Sequence, residues 1–235
     1  MRHAVPVPER PPSPREWFRN ETWDAAIAAE FEARLRRARS YSRAQYVAIQ
    51  ATHLLSSPDF RTREVARGLL CRVIDEYGDE LTSKLAWEQL GESLVREGDV
   101  TGGEEALRRV IALCAASDIG DSGTSGTAPL QLAELLIARG DASSMTEAER
   151  VLCDYESTVE DMSIMRDVVY RYCLARARVS AARGHQSTAE WAAAALRVAD
   201  EKKPSIPRHP TIGRPRTSDS ETAELRRLTR SQTAR

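Results

Sequence analysis

The sequence predicts an all-α fold, an α-solenoid of about four antiparallel helix pairs with an N-terminal capping helix and a disordered C-terminal tail. Three observations carry this. Hydrophobic residues make up 41% of the 235-residue chain but aromatic ones only 6%, which suits helices packed through alanine and leucine better than a sheet rich in aromatic and β-branched side chains. Short breaks recur along the chain: Ser57-Pro58-Asp59, Glu97-Gly98-Asp99, Arg139-Gly140-Asp141 and Arg183-Gly184-His185. Counted between Pro58, Gly98, Gly140 and Gly184, their intervals are 40, 42 and 44 residues, the signature of a repeated supersecondary unit.

The third observation is the register of small residues about those breaks. Seven positions before each anchor stands Ala51, Gly91, Ala133 or Ala177, and eight positions after each stands Ala66, Ala106, Ala148 or Ala192. A small side chain on each helix of a pair lets the two backbones approach to about 8 Å where they cross. Large residues flank these points: Leu54, Leu94 and Leu136 lie four before their anchors, and Leu70, Val110, Leu152 and Leu196 lie four beyond the second alanine. Ser180 takes the place of the expected leucine in the last unit. Glycine followed by aspartate is what one helix end followed by a new cap requires.

Taken in order, residues 1–16 hold Pro6, Pro8, Pro11, Pro12 and Pro14, whose fixed φ and missing N–H groups exclude a helix and predict a disordered leader. The helical domain is expected over 17–201. Its first helix is predicted at 21–39, capped by Asn20, with Trp23, Ile27, Phe31 and Leu35 on one face and arginines at its end. Repeats follow at about 42–77, 80–117, 128–157 and 163–201. Residues 118–127, with Gly120, Gly123 and Gly126 among Ser, Thr and Asp, predict an exposed mobile loop. The tail at 202–235 is broken by prolines, carries nine Lys/Arg against three Asp/Glu, and is expected to be disordered when free, with a short polar helix allowed near 220–230.

The second unit, Trp87-Glu88-Gln89-Leu90-Gly91-Glu92-Ser93-Leu94 with Gly98-Asp99, Leu107 and Val110, resembles the tetratricopeptide-repeat family. The resemblance covers about 42–201 and implies helix pairs whose first helices line a concave groove. Two departures leave another helix-pair solenoid open: the intervals are longer than the family's usual 34 residues, and Arg63 and Met145 stand where the family places a first-turn alanine. Carried onto this chain, the groove positions are Thr52, Glu88, Glu92, Glu134, Arg171 and Arg178. They imply a groove acidic in its middle and basic toward the last unit, suited to a protein or peptide partner of the opposite charge pattern.

No catalytic constellation is expected, and no metal or cofactor site. His3, His53, His185 and His209 are scattered and form no ligand-spaced pair. The glycine loop lacks the preceding strand and the lysine that phosphate binding needs. Cys71, Cys114, Cys153 and Cys173 read as small buried residues of a reducing, cytoplasmic protein. Lysine occurs only at Lys84, Lys202 and Lys203 among 34 basic residues, a bias that predicts a GC-rich bacterial coding origin. The chain carries a net charge of −1 and no signal peptide or membrane span is expected. Arg214, Arg216, Arg226, Arg227 and Arg230 of the tail supply the alternative reading, phosphate contacts to nucleic acid, although no aromatic residue interleaves them for stacking on bases.

Overall fold

The computed structural model describes residues 16–78, 80–161, 164–201, 205–206, 209 and 211–230; residues 1–15 of the leader expected at 1–16, and Lys202 and Lys203, lie outside them. The described chain is helical. Among the described residues the one β feature is an isolated bridge between Ile206 and His209. Its helices are α1 (Ala25–Arg37), α2 (Ser40–Leu55), α3 (Phe60–Arg72), α4 (Glu80–Arg96), α5 (Val100–Ala115), α6 (Ala128–Arg139), α7 (Ala142–Asp154), α8 (Glu156–Asp161), α9 (Arg166–Arg183), α10 (Thr188–Asp200) and α11 (Asp219–Arg230). A π-helical turn, Val73–Tyr77, extends α3 and stops at Gly78.

The predicted breaks are helix ends, and their chemistry is visible. Gly98, Gly140 and Gly184 take positive φ of 91°, 79° and 71°, a conformation that closes a helix and that side-chain-bearing residues rarely adopt. Asp59, Asp99 and Asp141 then accept hydrogen bonds from the backbone N–H groups of Thr62, Gly102 and Ser144 at the start of the next helix. Thr62 and Ser144 add their hydroxyls to the same carboxylates.

The eight small positions are all buried. The α4–α5 crossing shows why one of them is glycine. A Cβ on Gly91 would lie 3.1 Å from Leu107 Cγ and 3.3 Å from Ala106 Cβ, and a Cβ on Gly103 would strike Val95 Cγ2 and approach the Gly91 carbonyl. Helix pairs α2–α3, α6–α7 and α9–α10 also pack directly. The following helix then packs on both members of the preceding pair: α4 on α2 and α3, and α9 on α6 and α7.

The chain forms two compact units. The first, the described residues up to 114 with 122–124, has a core of Phe31, Leu35, Val47, Leu54, Leu70, Val73 and Leu90. The second, 115–121 with the described residues from 125 on, is built on Leu130, Leu136, Leu152, Tyr170, Tyr172 and Ala192.

Three expectations, on Asn20, the cysteines and the C-terminal tail, are corrected. Asn20 does not cap α1: Asp24 does, accepting from the Ile27 N–H at 2.8 Å. Asn20 instead exchanges three hydrogen bonds of 2.8 to 3.1 Å with the buried Gln50 of α2, fixing the segment that carries Trp17, Phe18 and Trp23 against Phe31 and Tyr46. Of the cysteines only Cys173 is buried; Cys71 and Cys153 are exposed, because each sits on the outer stripe of its helix. The loop expected at 118–127 is a succession of mostly exposed turns, in which Ser125 and Thr127 bond one another and Thr127 accepts from Gln131 of α6. Finally, 219–230 is not a free segment but helix α11, packed on α10 and α9 with Leu225 and Leu228 buried. The spacing of those two leucines, three apart on a polar helix, is enough to make one apolar stripe.

Candidate functional site

Three of the six predicted groove residues come together in the second unit. Glu134 and Ala138 on α6 face Arg171, Leu174 and Arg178 on α9, lining with Ile137 and Ala175 a cleft of about 260 Å³. Helical spacing explains the arrangement: 134 and 138 lie one turn apart, as do 171, 174 and 178, so each set occupies a single helix face. Ala138 is exposed and Leu174 and Ala175 form a buried floor. At the rim the Arg171 guanidinium donates two bonds, 2.8 and 2.6 Å, to the two oxygens of the Glu134 carboxylate. Such a fork-to-fork pair is both stronger and more directional than a single contact.

Arg178 is held in the same manner by a residue outside the predicted set. Glu224 of α11 accepts from its Nε at 3.1 Å and from its Nη2 at 2.8 Å. That bond, reinforced by the Arg178 charge, holds the Glu224 carboxyl below its ordinary range, against the opposing effect of burial. Arg171 and Arg178, expected to form a basic end, are therefore locally neutralised by α6 on one side and α11 on the other. Sequence reading missed Glu224 because a charged residue in a proline-flanked tail carries no sign of which helix it meets.

The other three residues lie in the first unit and are placed differently from one another. Thr52 is exposed on α2, with its hydroxyl donating to Ala48 O and lying 3.0 Å from Gln89 Oε1 on α4. Glu92 is half-buried on α4. Glu88 is 2% exposed, which removes it from the groove. It lies one helical turn beyond Lys84, which is itself 0% exposed; α4 packs on α2, α3 and the π-helical turn, so a face that reads as polar is covered. The same unit has a second cleft, about 500 Å³, between α1 and α2, with Trp17 and Tyr46 on one side and Glu30, Arg34 and Arg37 on the other.

The successive pairs are tied at their turns by arginines. Arg63 donates to the carbonyls of Ser57 and Pro58 at 2.9 and 2.7 Å and reaches Glu97 at the next turn, so one guanidinium ties two carbonyls of the α2–α3 turn to the turn that follows α4. In the second unit Arg183 of α9 binds Glu149 and Thr146 of α7. The tail arginines Arg214, Arg216, Arg226, Arg227 and Arg230 are exposed, three of them on α11. No helix of the described residues is long and apolar enough to cross a membrane, and among those residues no three His, Cys, Asp or Glu side chains come together as a metal site.

These features define a class, an all-helical protein of packed, capped helix pairs whose first helices carry a polar-rimmed cleft. Comparison with protein-family models, with curated proteins and with solved structures finds no match for the chain.

Proposed function

We propose that the chain is a non-catalytic interaction scaffold, a regulatory adaptor of tetratricopeptide-like solenoid design in a bacterial cytoplasm, that binds a peptide or partner helix along the faces of its first helices. The observation that carries this reading is the α6–α9 cleft: an apolar floor of Leu174 and Ala175 between two forked ion pairs, Glu134–Arg171 and Arg178–Glu224. Apolar floors give affinity, and charged rims give orientation and partner choice. A side chain of the partner would enter the cleft while its own charges exchange with the rim pairs.

Filling the cleft tests this without disturbing the core, because Ala138 is exposed. Ala138→Trp is expected to abolish capture of a specific protein from the native host while leaving the melting temperature unchanged. Equal capture by the wild type and Ala138→Trp would remove the cleft from the function. A second reading, nucleic-acid association through the tail, is favoured by the exposure of Arg226, Arg227 and Arg230 on one short helix. It requires salt-sensitive binding to duplex or single strands that disappears when 202–235 is deleted.

A further inference from the structure

Helix α11 occupies the place that the first helix of another pair would take. Within the second unit, α9 follows the pair α6–α7 and packs on both of its members, and Arg171 of α9 forks onto Glu134 of α6. One step further, α11 follows the pair α9–α10, packs on both of its members, and Glu224 accepts the fork of Arg178. The contact is repeated with the charges exchanged between the earlier and the later helix. The α9–α10 face is therefore built to receive a helix.

What it receives here is a small, polar helix. Among the 12 residues of α11 only Leu225 and Leu228 are buried, and a helix this short does not persist in water without its packing. The fit is also incomplete. Tyr170 of α9 is 2% exposed, and its hydroxyl finds no hydrogen-bond partner among the described residues. Burial, with the Glu221 charge of α11 adding to it, pushes its pKa up to about 12. A buried phenol normally finds an acceptor, so α11 leaves one bond of its receiving face unmade.

We infer that the α9–α10 face is a docking surface for a helix of a partner protein, and that α11 is the chain's own copy of that ligand, displaced when the partner binds. The partner is an amphipathic helix with a carboxylate followed at the first and fourth positions by leucine, the pattern of Glu224, Leu225 and Leu228, and with an acceptor for Tyr170. This deepens the scaffold reading and rests on it, adding the surface and the ligand's sequence chemistry. The chemistry is read from the seated helix: two leucines bury, one carboxylate forks to Arg178, and Arg226, Arg227 and Arg230 stay exposed.

The test uses the full chain and a fluorescent synthetic peptide of residues 217–231 as the probe. In the wild type the tethered α11 competes at a local concentration that no peptide in solution reaches. The full-length variant Leu225→Asp with Leu228→Asp, whose own helix no longer seats, is expected to bind the peptide at least tenfold tighter than the wild type. A peptide carrying Glu224→Arg is expected to bind that variant at least tenfold more weakly. A second variant, full-length Arg178→Glu, keeps every leucine in place and reverses the preference: the Glu224→Arg peptide binds and the unaltered one does not.

No gain of peptide binding over the wild type, or no reversal in Arg178→Glu, overturns the inference. So does a wild-type dimer exchanging α11 between copies, seen by size exclusion and disulfide-trapped heterodimers, because the occupant is then a second copy. If the peptide arms fail while host-protein capture is still lost in Ala138→Trp, the scaffold reading stands and this inference alone falls.

Discussion

At the scale of single residues, two glycines with the same helical conformation have opposite roles. Gly68 lies within α3 and a Cβ there would meet nothing within 4 Å, whereas a Cβ on Gly103 would strike Val95 and come within 3.1 Å of the Gly91 carbonyl. Gly68→Ala is therefore expected to stabilise by about 0.5–1 kcal/mol, the ordinary helix gain for alanine. Gly103→Ala receives the same gain but has to open the α4–α5 crossing against a β-branched neighbour that is stiff at χ1. Overpacking of this kind costs about 1–3 kcal/mol, so the net effect is destabilising. Urea denaturation of both variants checks the pair; a Gly103→Ala chain as stable as Gly68→Ala would show that the crossing has room. Arg63 makes the complementary point, since a charged side chain near the start of α3 is accommodated by donating to the carbonyls of Ser57 and Pro58 and pairing with Glu97.

At the scale of elements, what decides the outcome is which helix covers which face. The segment before α1 is held by the side chain of Gln50, which is 0% exposed and makes three hydrogen bonds with Asn20. Gln50→Ala leaves a backbone N–H and a carbonyl of Asn20 without partners and is expected to cost roughly 1–3 kcal/mol. It should also loosen Trp17, which packs on Phe31 and Tyr46 at ring distances of 5.3 and 5.1 Å. Increased iodide quenching of Trp fluorescence would report this; unchanged quenching would mean that the ring cluster alone holds the segment. The helices themselves were legible in the sequence because their ends are local chemistry: glycine for a positive φ, aspartate for a cap, and alanine at a crossing. The burial of Glu88, the partner of Gln50 and the packing of α11 were not legible, because the 3.6-residue period shows that a stripe exists but not what lies over it. Glu88 is expected in the groove and is instead covered, with Lys84 one turn before it, by neighbouring helices. Glu224 reads as tail charge and closes a forked pair with Arg178. Of the six expected positions, Glu134, Arg171 and Arg178 lie about one cleft because each helix presents them on a single face, whereas Glu88 is buried.

At the scale of the whole molecule, the helix-end and bridging carboxylates set how the fold responds to acid. Asp59 and Asp141 have pKa values lowered first by the Thr62 and Ser144 hydroxyls that donate to them, Glu97 by its bond from Arg63, and Glu224 by its bond from Arg178. In each case the folded state holds its proton less tightly than the unfolded chain, so the unfolded state binds more protons as the pH falls toward 4. Stability from these groups is therefore fully present above the ordinary carboxylate range and is lost as pH falls through the lowered values. Two of them belong to each compact unit, Asp59 and Glu97 to the first and Asp141 and Glu224 to the second. Tryptophan separates the readouts, with Trp17, Trp23 and Trp87 in the first unit and Trp191 in the second. The urea midpoint followed by Trp fluorescence in Trp191→Phe, and that followed in a variant retaining Trp191 alone, should both fall between pH 6 and pH 3. Asp141→Asn should flatten the dependence seen through Trp191, since the amide does not titrate, while leaving that of Trp17, Trp23 and Trp87 as steep as before. A pH-independent midpoint in either unit would mean that its caps and bridges are as well formed in the unfolded chain as in the fold.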